Sequence, residues 1–540
     1  MSHLVHHIPC VLPTKSIDKG VESHRLQRYR YVPFAGTGWL LGSQQNTTAP
    51  AIVQLIQHST PIDVLDDDCL LNTFRLCRPP LLNGDEDHND RILWGPAWNS
   101  ERWWYKLTHV CRRWRHLILG YASHLGICLL CAPGTPVADM LAHSPPFPIV
   151  IDHFHTDHGD HMTANDVEGI ILALEHRNRV RRIRLRTSFL MMEKVSILMD
   201  GEFPMLEFLC IEPLQNMNFQ FPKTFQVPQL RHLILTNFTC PIGSPLLSAA
   251  MGLVGLSLVN IPPSTYFQPE ELLHRVSHMP QLESLWIGFA LIHPRYDVDL
   301  RVIHMDNATH ITLPHLRFFQ FRGSNAYSEA LLSRITAPRL EAVRIAFWEE
   351  RAFSVPCLLQ FMSTSQYLRL GSAVLSFNVV GAMLSVHPHW EVKVSVFDMF
   401  VEDRPEHRVS NAAQILNALS PLFSSVVELL LDYRDNQSSP ELQNEAEPTN
   451  WRLLLRSFNN LKTLFVASSV VGKLSRSLLL DDGEPPDDLL PELKELAYSP
   501  SDANADAFTG FIDARQNAGH PVTLVHLKAA VSNPFFGPGS

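Results

Sequence analysis

The sequence lacks a long apolar run. No uninterrupted apolar stretch reaches the roughly 18 residues that a membrane-spanning helix needs, so we expect no membrane span. The first 20 residues carry His3, His6, His7 and Pro9 in place of the charged start and apolar core of a secretory signal. We therefore expect the protein to reside in the cytoplasm, the nucleus or both.

Cysteine is sparse as well. Nine cysteines are spread over 540 residues, and an odd number at wide spacing favours reduced thiols over a disulfide framework. Cys128 and Cys131 have the spacing of half a zinc site or of a redox pair, but zinc would need a second pair. Because Leu129 and Leu130 between them are typical of a buried strand, structural thiols are the favoured interpretation.

Neither sign of charge dominates. The chain has 44 basic and 54 acidic residues, a net charge of −10, and is 45% hydrophobic. A chain this rich in apolar residues is expected to fold rather than remain disordered. Its mildly acidic balance argues against a general nucleic-acid binder.

The sequence also lacks the short motifs of common enzymes. It contains no Gly-x-Ser-x-Gly, no Gly-x-x-x-x-Gly-Lys-Ser/Thr and no His-Glu-x-x-His pattern. The glycines Gly36, Gly38 and Gly42 follow no clear apolar strand, so they predict an ordinary loop rather than a phosphate site. We predict no catalytic residue, no cofactor and no enzymatic activity.

Proline, in contrast, is abundant, and six of the 39 prolines open a repeated pattern. The pattern is Pro-x-Leu-x-x-Leu-x-apolar. Its clear copies begin at Pro204, Pro228, Pro280, Pro314, Pro338 and Pro491, and looser copies are anchored at Val180, Leu253, Val426 and Leu461. From 180 to 340 the anchors are 23 to 34 residues apart, and repeats of about 20–29 residues with this core are leucine-rich repeats.

The spacing of the pattern predicts a fold. On a strand, the residues three and five after the anchor point to one face, and those two, four and six after it point to the other. One unit cannot bury its apolar face alone, so successive units stack. We predict an α/β solenoid, a curved parallel sheet with outer helices such as Asp166 to Glu175, and two poorly matched units in 365–400.

The positions expected on the concave face supply candidates for binding a protein target. The bulky or charged ones are Arg182, Arg184, Arg186, His232, Trp286, Phe318, Gln320 and Arg344. The three arginines of the first strand alternate with Ile183 and Leu185. Either a solvated strand edge paired with acids or recognition of an acidic or phosphate group explains them. No stacking aromatic residues are interleaved, which disfavours nucleic acid.

One stretch suggests a metal site. Asp152 to His161 contains four histidines that could act as ligands of zinc or another divalent ion: His153, His155, His158 and His161. The stretch follows an apolar strand and precedes a helix, so a solvated polar loop explains it better than a metal site. We favour the polar loop and predict no metal.

Two segments near the N-terminus predict helices. Acidic residues at 66–68 precede Leu70, Leu71 and Phe74 at helical spacing. After an acidic polar insert from Asn83 to Asp90, the second segment, 107–119, repeats apolar residues on one predicted helical face: Leu107, Val110, Cys111, Trp114, Leu117 and Ile118.

These two segments resemble an F-box. The family pattern opens with Leu-Pro-x-x-x-Leu-Leu-x-x-Phe and ends with Val-Cys-x-x-Trp. Here Leu65 to Phe74 and Val110 to Trp114 match it, with Asp66 in place of the proline. The long spacer, together with Cys131 to Val137 and Pro148 to Ile151, is similar to the large fungal (basidiomycete) set of F-box proteins.

The resemblance implies a function. An F-box protein of this kind is a substrate-recognition subunit of an SCF-type (cullin–RING) ubiquitin ligase, which binds a Skp-type adaptor, through it a cullin, and an unknown protein substrate. The residues expected to dock the adaptor or to support that docking are Leu65, Leu70, Leu71, Phe74, Val110 and Trp114. The alternative is a leucine-rich-repeat interaction scaffold unconnected to ubiquitin.

Together these expectations divide the chain into five parts. They are a weakly ordered segment (1–60), an F-box-like helical domain with a polar insert (61–122), a connecting segment (123–165), a degenerate leucine-rich-repeat array (166–500), and a C-terminal cap and tail (501–540).

Overall fold

The structure is a computed structural model, and it describes most of the chain after residue 64. The described residues are 65–77, 103–122, 124–154, 162–214, 221–238, 242, 244–262, 265–290, 310–348, 353–378, 380–389, 391–392, 394–402, 407–434, 448–479, 489–498 and 506–527. They belong to one unit that starts at Leu65. The predictions for residues 1–60 and for the insert from Asn83 to Asp90 lie outside these ranges.

The described residues form an α/β fold around an open, mostly parallel sheet of 16 strands. The strands in chain order are β1 Leu129–Cys131, β2 Ile149–His153, β3 Val180–Thr187, β4 Phe208–Pro213, β5 His232–Thr236, β6 Gly255–Ile261, β7 Ser284–Phe289, β8 Ile311–Thr312, β9 Phe318–Gly323, β10 Ile335–Thr336, β11 Ala342–Phe347, β12 Ser372–Asn378, β13 Gly381–His387, β14 Phe397–Glu402, β15 Glu428–Arg434, β16 Thr463–Val466, β17 Glu495–Tyr498 and β18 Thr523–His526. β8 and β10 pair separately from the large sheet.

Helices precede the sheet and connect its strands. They are α1 Asp67–Leu76, α2 Trp103–Thr108, α3 Arg112–Gly120, α4 Val137–His143, α5 Ala164–Glu175, α6 Phe189–Leu198, α7 Pro245–Ala249, α8 Pro269–Val276, α9 Asn325–Leu332, α10 Pro356–Ser363, α11 Arg408–Ala418, α12 Ser420–Phe423, α13 Pro448–Leu455, α14 Ser468–Leu478 and α15 Thr509–Asn517. We call residues 65–77 and 103–122, which hold α1 to α3, the helical head.

The proline pattern marks the strands as predicted. Each of the six clear copies leads into a strand, namely β4, β5, β7, β9, β11 and β17. In the first copy, the anchor Leu206 and the following Leu209 and Ile211 are all fully buried. They share one core with the inner sides of the helices, such as Leu174 of α5. Phe208 and Cys210, which alternate with them, belong to a separate small cluster on the opposite face.

The region 365–400 differs from the prediction of two stacked units. β12, β13 and β14 form an antiparallel meander, and the sheet order there is β11-β14-β13-β12-β15. The turn at Asn378 makes the reversal possible, because its Oδ1 accepts hydrogen bonds from the amides of Val380 and Gly381, each at 3.0 Å. Parallel pairing returns at both flanks, with β11 and with β15.

The single helix predicted for 107–119 is also wrong. The chain forms α2 and α3 with a turn at 109–110 between them. Cys111 begins the second helix, since its sulfur accepts a hydrogen bond from the amide of Trp114 at 3.4 Å. Val110 and Cys111 are therefore exposed instead of lying on a continuous apolar face.

Residues of alternating charge directly precede neighbouring strands of the sheet. The guanidinium of Arg317 donates two hydrogen bonds to the carboxylate of Glu341, at 2.7 and 2.8 Å, and this pairing raises the pKa of Arg317. Glu283 on the other side is 4.0 Å away, and Arg181 pairs with Glu207 at 2.9 Å. Such pairs favour one register between neighbouring strands, because a shift would separate the paired charges.

We expect the pair of Arg317 and Glu341 to contribute modestly to stability. Both side chains are more than one-third exposed, so solvent screening limits the coupling to about 0.5–1 kcal/mol. A double-mutant cycle of Arg317→Ala and Glu341→Ala, followed by urea unfolding, measures that coupling. High salt should reduce it, and a coupling that is indifferent to salt would contradict an electrostatic origin.

Candidate functional site

Hydrogen bonds at the start of α1 stabilise the helical head. The Asp66 carboxylate accepts a hydrogen bond from the amide of Cys69 at 2.7 Å, and this bond lowers the pKa of Asp66. Arg113 of α3 donates to Asp67 at 2.7 Å and to the carbonyl oxygen of Leu65 at 2.6 Å. α3 is thereby tied to the beginning of α1.

The six residues predicted for adaptor docking fall into two groups. Leu70, Leu71 and Phe74 are at most 5% exposed and belong to the main core. The ring of Phe74 meets the partly buried Trp114 edge to face, with centroids 4.8 Å apart. These side chains hold the head together, so a partner could not reach the three buried ones without rearrangement.

The other two predicted residues, Leu65 and Val110, reach solvent. Their exposed fractions are 37% and 59%. Three further large apolar side chains of the described head are exposed, and the sequence analysis did not select them: Leu76, Tyr105 and Tyr121. Leu76 lies two residues beyond the matched motif, and the two tyrosines lie just outside the stretch 107–119 in which a helix was predicted. In the sequence, these exposed residues could have been found as apolar side chains that do not lie on the predicted buried face of a helix.

The strand register brings the eight predicted target-binding residues to one face of the sheet. One row runs across the strands through Arg182, Phe208, His232, Gly255, Ser284 and Phe318. The next runs through Asp152, Arg184, Cys210, Ile234, Ser257, Trp286, Gln320, Arg344 and Asp398. Arg186 pairs in register with Glu212 in a third row. We call this side, which faces away from the helices, the open face.

Two of its arginines are buried against aromatic rings. The guanidinium carbon of Arg182 lies 3.8 Å from the ring centroid of Phe208, and that of Arg184 lies 4.3 Å from the ring centroid of Phe154. Only 4% and 5% of these arginines is exposed, and burial lowers the pKa of Arg182 to about 10. A solvated strand edge thus describes only Arg186, which pairs with Glu212 at 3.3 Å.

Two neighbours of these arginines, His232 and Cys210, carry no charge at neutral pH. Burial, with Arg182 and Arg231 nearby, lowers the pKa of His232 to about 4. Burial raises the pKa of the Cys210 thiol to about 12. His232 can therefore act as a hydrogen-bonding group, and Cys210 as an apolar one.

Further along the open face lies a shallow depression. Its lining includes Ser284, Phe318, Gln320, Ala342 and Arg344. Arg344 forms an ion pair with Asp398 of β14 at 3.1 Å. A ligand there would meet an aromatic ring and an amide beside a charge that is already neutralised.

The far part of the open face carries apolar side chains among polar ones, and none of the apolar ones was among the predicted target-binding residues. Met383 of β13 is 41% exposed and pairs in register with Phe400 of β14. Val374 and Leu430 in the adjacent row are 5% exposed. In the sequence, apolar residues alternate with a period of two over 372–402, which predicts strands. The alternation does not give the strand directions, so it could not show which side chains are neighbours on the open face.

Of the four histidines considered as metal ligands, the structure describes His153, and three lie outside the described ranges: His155, His158 and His161. His153 does not lie in an exposed loop, because it ends β2 with its side chain 1% exposed and its Nε2 is 3.6 Å from the sulfur of Cys131. Burial lowers the pKa of His153 and raises that of Cys131 to about 12. In the part of the chain that the structure describes, no three His, Cys, Asp or Glu side chains form a group that could hold a metal.

Neither the protein-family models nor the curated proteins contain a match for this chain. Functional conclusions about it therefore rest on its own residues. Within the described ranges, no helix combines the length and apolar character needed to cross a membrane.

Proposed function

We propose that this protein is the substrate-recognition subunit of an SCF-type ubiquitin ligase. In this proposal the head binds a Skp-type adaptor, which joins the protein to a cullin, and the sheet with its helices is a degenerate leucine-rich-repeat solenoid that binds a protein target. The observation that carries it is the placement of all eight candidate target residues on one open face. Aromatic and arginine side chains on such a face are typical carriers of interface energy.

The proposed role requires no chemistry from this chain. Holding a target beside the ubiquitin-charged enzyme raises its effective concentration. Among the described thiols, that of Cys131 lies 3.6 Å from the imidazole Nε2 of His153. Both side chains are at least 98% buried, and the raised pKa of Cys131 keeps it a thiol at neutral pH. This arrangement supports a binding role over a thiol-based reaction.

The test is co-purification with a purified Skp-type adaptor. We expect an equimolar complex on size exclusion, because the exposed Leu65 and Val110 provide apolar contacts that are not otherwise covered in the head. Addition of the cullin should give a ternary complex. If the adaptor elutes separately at micromolar concentrations of both proteins, the ligase assignment is wrong.

A scaffold without a link to ubiquitin is the second candidate. It is favoured by the burial of Leu70, Leu71 and Phe74, since these family-like residues would be needed for packing even without an adaptor. The scaffold predicts target binding through the open face and no adaptor complex, so the same co-purification separates the two candidates.

A further inference from the structure

Two carboxylates on the far part of the open face form no ion pair with an arginine or a lysine in the part of the chain that the structure describes. Glu428 of β15 and Glu495 of β17 are partly exposed, and both are in register with Thr463 between them. Neighbouring strands lie about 4.8 Å apart, so the Cα atoms of the two glutamates are roughly 10 Å apart and both carboxylates can reach one group above Thr463. Three other acids of the open face each pair with an arginine, at 3.3, 3.1 and 3.7 Å: Glu212, Asp398 and Glu402.

The negative charge of Glu428 is poorly compensated. Burial raises the pKa of Glu428, His389 lowers it, and Glu495 raises it further. The last effect is a repulsion between like charges. Lys462 and Lys494 directly precede β16 and β17, but the alternation of a strand places their side chains on the helix side of the sheet. A cation that approaches the open face would therefore relieve the repulsion between the two carboxylates.

A buried hydroxyl beside these acids also lacks a partner. Ser372 of β12 is in register with Glu428 on the open face, its side chain is fully buried, and its Oγ has no hydrogen-bond partner among the described residues. An unpaired buried hydroxyl is unfavourable, so a position that served only the fold would be expected to carry alanine. Hydroxyl and carboxylate oxygens accept hydrogen bonds from cationic N–H groups. Across four neighbouring strands, Ser372, Glu428, Thr463 and Glu495 thus form one row of acceptor oxygens.

An apolar row lies directly beside this acceptor row. Val374, Leu430 and Phe465 lie two positions further along β12, β15 and β16 and are in register with one another. The ring of Phe465 is partly exposed. Lysine and arginine have a hydrocarbon stem that packs on apolar surface while the charged end reaches a polar partner. The two rows therefore match the two parts of such a side chain.

We propose that Glu428 and Glu495 bind one lysine or arginine side chain of the protein target. Its charged end lies between the two carboxylates above Thr463, and its stem lies on Leu430 and Phe465. A side-chain cation suits this place better than a metal ion, because among the described residues no three possible metal ligands come together. This inference rests on the proposed use of the open face for target binding and does not involve the adaptor.

The experiment measures binding of the full chain to an oriented peptide library with random flanks and one fixed central residue. Three arms carry lysine, acetyl-lysine or glutamate at that position. We expect the lysine arm to bind about tenfold or more tightly than the acetyl-lysine arm, because acetylation removes the charge and keeps the stem. Glu428→Gln combined with Glu495→Gln should abolish this difference. The control Glu402→Gln, whose carboxylate is already paired with Arg322 at 3.7 Å, should keep it.

Each other outcome overturns the proposal. Equal binding of the lysine and acetyl-lysine arms, no binding in any arm, or a preference for glutamate would exclude recognition of a cation. A lysine preference that persists in the double variant would place the cation elsewhere on the chain. The double variant should fold, because it removes two repelling charges and no ion pair. If it did not, Glu495→Gln alone should lower the lysine preference by about threefold. Adaptor co-purification of the same samples is a separate measurement, so failure of the ligase assignment stays distinguishable.

Discussion

Gly381→Ala is expected to lower the free energy of unfolding by at least about 3 kcal/mol. A Cβ atom at this position would lie 2.0 Å from the carbonyl oxygen of Val401 and 2.9 Å from its carbonyl carbon. These are backbone atoms of β14, which is paired with β13 through Gly381 and Glu402. The neighbouring strand cannot retreat without giving up that pairing, so a side-chain rotation cannot relieve the clash.

The matched control is the same substitution at Gly472. This glycine lies inside α14, and a Cβ there would meet no atom within 4 Å. Gly472→Ala should therefore stabilise the protein by up to about 1 kcal/mol, because alanine is the better helix former. Urea unfolding followed by circular dichroism measures both changes. The dependence of the unfolding free energy on urea concentration should be the same in all variants, because a change in it would show that the long array unfolds in parts. A Gly381→Ala protein as stable as the parent would contradict the meander.

Val110→Asp is expected to weaken adaptor binding by about thirtyfold or more, if the head docks as proposed. Val110 is 59% exposed and lies in the turn between α2 and α3. A carboxylate at this position would be desolvated in an apolar interface but remains hydrated in the free protein. The thermal midpoint should therefore stay close to that of the parent while the complex is lost.

Two variants make this result specific. Ile197→Asp places the same charge on an aliphatic residue that is 74% exposed on α6, outside the head, and should leave adaptor binding unchanged. Leu70→Asp buries a charge in the core and should unfold the head at a cost of more than about 4 kcal/mol, so its loss of binding would reflect folding. If a protein that carries both Val110→Asp and Leu65→Asp still bound the adaptor, the proposed docking surface would be wrong.

The sequence predicted the strands well where apolar spacing and proline coincide. Leu206, Leu209 and Ile211 are buried as predicted, because side chains two positions apart on a strand point to the same face of the sheet. The meander escaped prediction for the same reason, since Leu375, Phe377 and Leu384 alternate alike in parallel and antiparallel strands. Of its two signals, the turn at Asn378 is local, but the need for glycine at position 381 depends on Val401, which is 20 residues away.

Burial of polar residues was the harder part of the site to predict. His153 follows Ile149 and Ile151 at a spacing of two, which predicts an inward side chain, but its histidine-rich neighbours suggested a loop. The three arginines of β3 were placed on the correct face by alternation alone. That two of them are nearly buried depends on Phe154, which follows β2, and on Phe208 of β4, and neither has a local signature in β3.

The meander of β12 to β14 has a consequence for how this chain can change in length over evolution. Duplicating one parallel unit on either side of it adds a strand that points the same way as all the others, and the array simply grows. Copying or deleting β13 alone would reverse the direction of every strand that follows. With the short connections kept, antiparallel strands can therefore be gained or lost here only in twos, whereas the flanks can lengthen or shorten by one unit at a time.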